Sequence, residues 1–185
     1  MAFNSIYKNK KVLVTGSTGF KGSWLCSWLC MLGADVYGYA LNIPTNPSMY
    51  EILGLDKRVH QHYGDIRNKE ELRDYINEVR PDFIIHLAAQ ALVYTSYQEP
   101  FDTITTNVVG TAAVCDCIRE ITWDCTCVLI TSDKAYDNVE WIWDIVKQTV
   151  WVVKMFILVQ KVLLNLSSSH IGILLLKINP ILSWV

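Results

Sequence analysis

The chain has 185 residues, a formal net charge of −2, 51% apolar and 18% charged residues. That length suits one domain with a buried core, and the composition excludes a disordered polymer. The near-neutral charge gives no electrostatic reason to expect nucleic acid or an anionic membrane as the main partner.

The first 140 residues alternate strand and helix. Lys11–Thr15 is a short β-branched run ended by glycine and reads as a buried strand. Gly16–Gly22 is a glycine-rich turn. Trp24, Leu25, Trp28, Leu29 and Leu32 recur at helical spacing, so Ser23–Leu32 is expected as a helix, stopped at Gly33. Asp35–Leu41 is a second strand, Asn42–Ser48 a proline-bearing loop, and Val59–Tyr63 a third strand. Lys69–Val79 places Leu72, Tyr75, Ile76 and Val79 on one helical side, with Pro81 after it. Asp82–Ala89 is the fourth strand, Phe101–Ile118 a long helix, and Cys125–Ser132 the fifth strand. Strands separated by helix-length segments imply right-handed crossovers and a parallel sheet. The expected fold is therefore α/β, a Rossmann-like doubly wound parallel sheet that stops after the fifth strand.

The first chemical feature is Gly16-Ser17-Thr18-Gly19-Phe20-Lys21-Gly22, which follows a strand and opens a helix. Such a turn lets backbone approach a pyrophosphate and sets a helix N-terminus against its charge. Gly16 allows the tight turn, Gly19 clears room for phosphate, and Gly22 lets helix and strand pack. The acid usual about 20 residues later, which holds a ribose 2′-hydroxyl, is missing. Ala40, Leu41 and Asn42 stand there, with no arginine for a 2′-phosphate. The residues alone leave NAD and NADP both open. Cysteines 26, 30, 115, 117, 125 and 127 form no C-x-x-C pair and are expected as buried thiols. His60, His62, His86 and His170 show no ligand spacing, so no metal is expected. Residues 4–11 are polar and lysine-bearing, not a leader's apolar core, which fits a cytoplasmic protein.

Thr15–Leu25 (TGSTGFKGSWL), Gly38–Leu41, Pro44–Ser48, Gly64–Asn68 (GDIRN), His86–Gln90 (HLAAQ), Thr106–Thr111 (TNVVGT) and Thr131–Trp141 closely resemble the CDP-glucose 4,6-dehydratases. These are NAD-dependent lyases of the extended short-chain dehydrogenase/reductase superfamily that make a 4-keto-6-deoxy sugar nucleotide for deoxysugar and O-antigen synthesis. The resemblance runs in order through residues 10–143. It implies NAD as cofactor, CDP-glucose as partner and a homo-oligomeric state for full-length members. It also implies that Gly16, Thr18, Gly19, Phe20 and Gly22 cradle the pyrophosphate, and that Asp65 and Ile66 read the adenine. Leu87, Ala88 and Ala89 would line the cofactor, and Asn107 would sit beneath the nicotinamide side. Ser132 would hydrogen-bond the sugar, Asp133 would protonate the leaving hydroxyl, and Lys134 would stand near the base that takes the C5 proton. Without the resemblance, Asp133 and Lys134 read as an exposed ion pair in a loop.

Residues 141–185 differ in kind. They hold one of the 18 acids, Asp144, and one of the nine glycines, Gly172, yet are dense in Val, Ile, Leu and Trp. The Tyr-x-x-x-Lys pair that short-chain dehydrogenases carry after the fifth strand is missing, since Tyr136 is the last tyrosine. Restoring one G after the Trp143 codon, with permitted synonymous codons, converts Trp143–Lys161 to W-G-Y-R-K-T-D-C-L-G-G-K-D-V-Y-S-S-S-K. The expectation is that 1–140 is a partial nucleotide-binding domain and 141–185 an out-of-frame translation. Turnover is then expected to be absent, and NAD binding weak or absent. The other readings are a noncatalytic dinucleotide-binding module and a membrane anchor over Val150–Leu166. Lys154, Gln160, Lys161 and Asn165 interrupt that run.

Overall fold

A computed structural model describes residues 5–130 and the strand 173–178. Along the chain run β1 (Lys11–Thr15), α1 (Phe20–Met31), β2 (Asp35–Ala40), α2 (Met49–Ile52), β3 (His60–Tyr63) and α3 (Lys69–Val79). They are followed by β4 (Phe83–His86), α4 (Val93–Gln98), α5 (Pro100–Ile104), α6 (Gly110–Arg119), β5 (Cys125–Ile130) and β6 (Ile173–Ile178). The sheet order is β3-β2-β1-β4-β5-β6. The first five strands are parallel. Among the described residues β5 is the last parallel strand, but the sheet does not stop there: β6 extends it by pairing antiparallel to β5, Ile173 opposite Ile130 and Ile178 opposite Cys125.

β1 reads as an unbroken apolar run because both its faces are covered. Leu13 packs with Ile84, Leu72, Ile76, Val114 and Ile118 under α3 and α6. Val12 and Val14 pack with Val36, Ile85, Cys26, Leu29 and Tyr50 under α1 and α2. β5 alternates: Cys125, Cys127 and Leu129 are buried toward α6, whereas Val128 and Ile130 are half-buried on the α1 side.

Local chemistry sets the element ends. The Asn68 side chain caps α3 by accepting from the Glu71 amide, with Glu70 and Glu71 in the first turn. Arg80 ends it in the left-handed region (φ 50°). Gly33 (φ 83°) turns the chain out of α1. The expected long helix over 101–118 spans Pro100–Arg119, but Thr105–Val109 widens to a π-helical turn between α5 and α6. The sequence carries no clear periodicity for α2 and α4; both are short, α2 capped by the Ser48 side chain and α4 without a side-chain cap.

Candidate functional site: the crevice at the ends of β1 and β4

β1 lies between β2 and β4, so chain progression reverses there, and the carboxyl ends of β1 and β4 open a crevice. That is where open α/β sheets place ligands. The turn after β1 and the segment 87–90 after β4 form its walls.

The three glycines of the turn have different reasons to be glycine. Gly16 sits at φ 72°, and a Cβ there would lie 2.8 Å from the Ala88 amide nitrogen. Its amide donates to the Tyr39 carbonyl (2.8 Å), which ties the turn to β2. A Cβ on Gly22 would lie 2.0 Å from the Gly16 carbonyl oxygen and 2.9 Å from Ser17 Cα. Gly22 therefore lets α1 pack on its own turn, rather than on a strand as the spacing suggested. Gly19 needs glycine for neither reason: its φ is −70°, and a Cβ would meet only the Gly16 oxygen at 3.4 Å, an ordinary contact. The space over Gly19 is open. Gly19 is also the N-cap of α1, with no side-chain cap and no acid in the first turn. A 12-residue helix thus presents unsatisfied N–H groups and its positive end to a gap cleared of side chains, which suits a pyrophosphate. Phe20 is 66% exposed beside it.

Thr18 is otherwise engaged: its hydroxyl donates to the Asn42 carbonyl (2.6 Å), stitching the turn to the loop after β2. Buried Ser17 donates to Gln61 Oε1 (2.8 Å) on β3. Gly38 makes room for that bond, since a Cβ there would lie 2.2 Å from Gln61 Oε1. An isolated glycine inside a strand was the available signal for this close approach.

On the β4 side, Leu87, Ala88 and Ala89 are half-buried and follow β4 at this edge of the sheet, with Leu87 against the core under α1 and Ala88 against the core under α6. The Leu87 amide donates to the Thr15 carbonyl (3.2 Å), and the Ala88 amide to Thr15 Oγ1 (3.2 Å). Thr15 Oγ1 also pairs with His86 Nδ1 (2.7 Å), and His86 Nε2 pairs with Thr111 Oγ1 (3.0 Å). Burial holds the imidazole pKa down, at about 4, so it is neutral and links β1, β4 and α6. Asn107 is fully buried. Its Oδ1 accepts from the Gln90 amide (2.8 Å), and its Nδ2 donates to the Gln90 carbonyl (3.0 Å). Both ends of its amide are spent on shaping the loop after β4, which makes it a positioning residue. The π-helical turn is what aims it there.

Asp65 and Ile66 follow β3 at the same edge. Both Asp65 carboxylate oxygens accept from Arg67 Nε (3.0 and 2.9 Å), and Arg67 Nη2 donates to Oδ2 (2.6 Å). Arg67 Nη1 continues to Asp102 (2.6 Å). These bonds to Arg67 hold the Asp65 carboxyl below the usual carboxylate range. The Ile66 side chain is 5% exposed and packs on Gly110, which leaves only its backbone for a ligand. At the reversal point the turn that holds Gly16, Thr18, Gly19, Phe20 and Gly22 meets the segment Leu87–Ala89 through the close approach of Gly16 to Ala88, and Asn107 holds Gln90 just beyond it; Asp65 and Ile66 follow β3 at the same edge of the sheet, tied to β2 through Tyr39. Ser132, Asp133 and Lys134, together with the run Val150–Leu166, lie outside the described residues. Among the described residues no helix is long and apolar enough to cross a membrane, and no three His, Cys, Asp or Glu side chains cluster as for a metal.

Comparison with known proteins bears on the family and the fold. The family model for GDP-mannose 4,6 dehydratase matches residues 13–145. The chain is 48% identical over 143 residues to CDP-glucose 4,6-dehydratase of Salmonella typhimurium, covering 77% of this chain and 40% of that protein. It is 34% identical over 131 residues to human GDP-mannose 4,6 dehydratase, covering 67% and 34%. It thus spans about two fifths or less of the length of these curated relatives. Among solved structures, UDP-glucose 4-epimerase of Thermus thermophilus, as its complex with NAD, superimposes with a TM-score of 0.71 at 23% identity, covering 85% of this chain and 49% of that one. That likeness establishes the shared fold. With the family match running from β1 past β5, the chain belongs to the GDP-mannose 4,6 dehydratase family.

Proposed function

We propose that this chain carries the dinucleotide-holding part of a sugar-nucleotide 4,6-dehydratase, with NAD as the dinucleotide and CDP-glucose as the sugar nucleotide. The observation that carries the reading is Gly19: a glycine that neither backbone strain nor packing requires, under an uncapped helix end, at the reversal point of the sheet. The higher identity to a CDP-glucose enzyme (48%) than to a GDP-mannose enzyme (34%) supports the choice of sugar nucleotide.

The residues of the crevice fit the cofactor. Gly19 and the first amides of α1 hold the pyrophosphate, Phe20 flanks it, and Gly16 and Gly22 keep turn and helix in register. Ala88 and Ala89 line the way toward the nicotinamide, with Asn107 holding their loop. The Asp65 segment meets the adenine through backbone groups. When bound, NAD supplies a hydride acceptor for C4 of the sugar and later a hydride donor to C6. The elimination between them needs an acid at the C6 hydroxyl and a base at the C5 proton. Asp133 is the proposed acid, Lys134 stands near the base, and Ser132 holds the sugar hydroxyl. The parallel pairing of Leu129 with His86 supports this, because β5 ends at the same edge of the sheet as β4, where Leu87–Ala89 lie.

As written, the chain has no Tyr-x-x-x-Lys after Ser132 to move the C4 hydroxyl proton and hold the nicotinamide ribose. The reading therefore includes a lost base at the Trp143 codon, with residues 144–185 translated out of frame. The test has two arms. Calorimetric titration with NAD to millimolar concentration yields weak saturable binding and no turnover of CDP-glucose; no heat of binding overturns the cofactor assignment. Sequencing the DNA around the Trp143 codon yields a long open frame after one restored G; a stop codon soon after it overturns the frameshift.

A further inference from the structure

We infer that the outer side of α1, with the groove beside it, is a docking surface for a second copy of this chain, packed antiparallel about a two-fold axis. The inference is independent of the cofactor reading. The 12 residues of α1 hold a single charge, Lys21, and carry apolar side chains on every side. A helix of that kind is one covered all round. The sheet buries its inner face through Gly22, Ser23, Cys26, Ser27 and Leu29. Outward stand Trp24 (53% exposed), Trp28 and Met31 (77% exposed), at the i, i+4, i+7 spacing of a seam between two helices. Beside this ridge runs a groove of about 440 Å³, walled by α1 from Trp24 to Met31 and by Leu87 at the exit of β4. Leu87, Val128 and Ile130 carry the apolar layer on past α1 and are only half-buried.

Ridge and groove lie side by side on one molecule, which is what makes the surface complementary to itself. A two-fold axis near Trp28 sets the ridge of each copy into the groove of the other, and such a contact closes at two copies. Trp24 of each copy then faces Met31 of the other, an aromatic–thioether pair. Exposed Lys21 of each copy comes to the C-terminal end of the other α1. That end has no basic residue in its last turn, so Lys21 supplies the positive charge that its free carbonyls favour. The two Lys21 side chains stand at opposite ends of the contact and do not repel each other. Trp24, Trp28 and Met31 leave on the order of 350 Å² to be covered on each copy. With the groove walls, the pair buries roughly 1,000 Å², the lower end for a specific interface, so the dimer is weak and depends on concentration.

The experiment is sedimentation velocity of the full chain, without dinucleotide, from submicromolar to tens of micromolar. The wild type is expected to pass from monomer to dimer. Trp24→Glu and Met31→Lys, both at exposed positions, should each weaken the dimer at least about tenfold. An equimolar mixture of the two variants should dimerise again, because each mixed pair sets the new carboxylate against the new ammonium and keeps one Trp24–Met31 contact. A chain misfolded by either substitution is not restored by mixing, so the mixture separates a docking defect from a folding defect. A monomer at every concentration overturns the inference, and is the result if residues 131–172 of the same chain fill the groove. Oligomers that grow beyond two, a dimer that both variants leave intact, or a mixture that stays monomeric overturn it as well.

Discussion

Gly16 and Gly19 stand three residues apart in one turn, and replacing each by alanine separates folding from binding. At Gly16 the backbone is left-handed, which costs an L-residue about 1–2 kcal/mol. The new methyl would also lie 2.8 Å from the Ala88 nitrogen and 2.9 Å from Ala88 Cα, both backbone atoms that cannot swing aside. Overpacking of this kind costs a further ~1–3 kcal/mol. Gly16→Ala is thus expected to lose about 2–5 kcal/mol, a large fraction of the 5–15 kcal/mol typical of a whole domain. At Gly19 the φ of −70° suits alanine and the added methyl meets only one oxygen at 3.4 Å. Gly19→Ala should cost no more than about 1 kcal/mol, the difference between glycine and alanine at an N-cap. The same methyl fills the gap where phosphate must approach, so NAD affinity should fall at least about tenfold. Urea unfolding followed by circular dichroism reads the first quantity, and calorimetric titration the second. If Gly19→Ala binds NAD as well as the wild type, the space over Gly19 is not a phosphate site and the functional reading loses its main support.

Other expectations follow from the buried polar groups. His86 takes up a proton near pH 6.5 when unfolded but only at about 4 when folded. Between those limits the unfolded chain binds more protons, so stability falls as pH drops from about 6.5 to about 4, by up to about 3 kcal/mol, and this contribution is constant above. Urea midpoints across that range should slope more steeply for the wild type than for His86→Gln. Asn107→Ala leaves the Gln90 amide and carbonyl unpaired and should cost about 2–3 kcal/mol, with weaker NAD binding from a loosened loop; an unchanged urea midpoint contradicts that role. Arg67→Ala removes a bidentate but partly exposed pair and should cost only about 1 kcal/mol, shrinking further in high salt. Burial pushes the Cys26 thiol up to about 12, and the hydrogen bond with Cys125, together with burial, raises Cys127. A polar thiol reagent should therefore modify half-buried Cys30 and Cys115 before Cys26, Cys117, Cys125 and Cys127 in the native protein. Equal rates at all six would show that the core opens readily.

What could be read from the sequence is what neighbouring residues decide among themselves. β1 announces itself because a strand covered on both faces must be apolar throughout, and Lys69–Val79 because its periodicity and the Pro81 that follows it are local, whereas the Asn68 cap and the left-handed Arg80 emerged only in the structure. The glycine turn was legible for the same reason, down to the open space at Gly19. Only the tertiary structure decided which side chains build the crevice and which merely hold it. Gly16 faces Ala88, His86 joins Thr15 to Thr111, and Asn107 spends its amide on Gln90 across a π-helical turn that no periodicity announces. Those partners come from distant parts of the chain and meet only once the sheet reverses its order at β1. For the same reason, pairing of Ile173–Ile178 with β5 had no signal in either segment alone. An apolar run states that it must be covered, but the partner that covers it is selected by the edge the folded sheet leaves open.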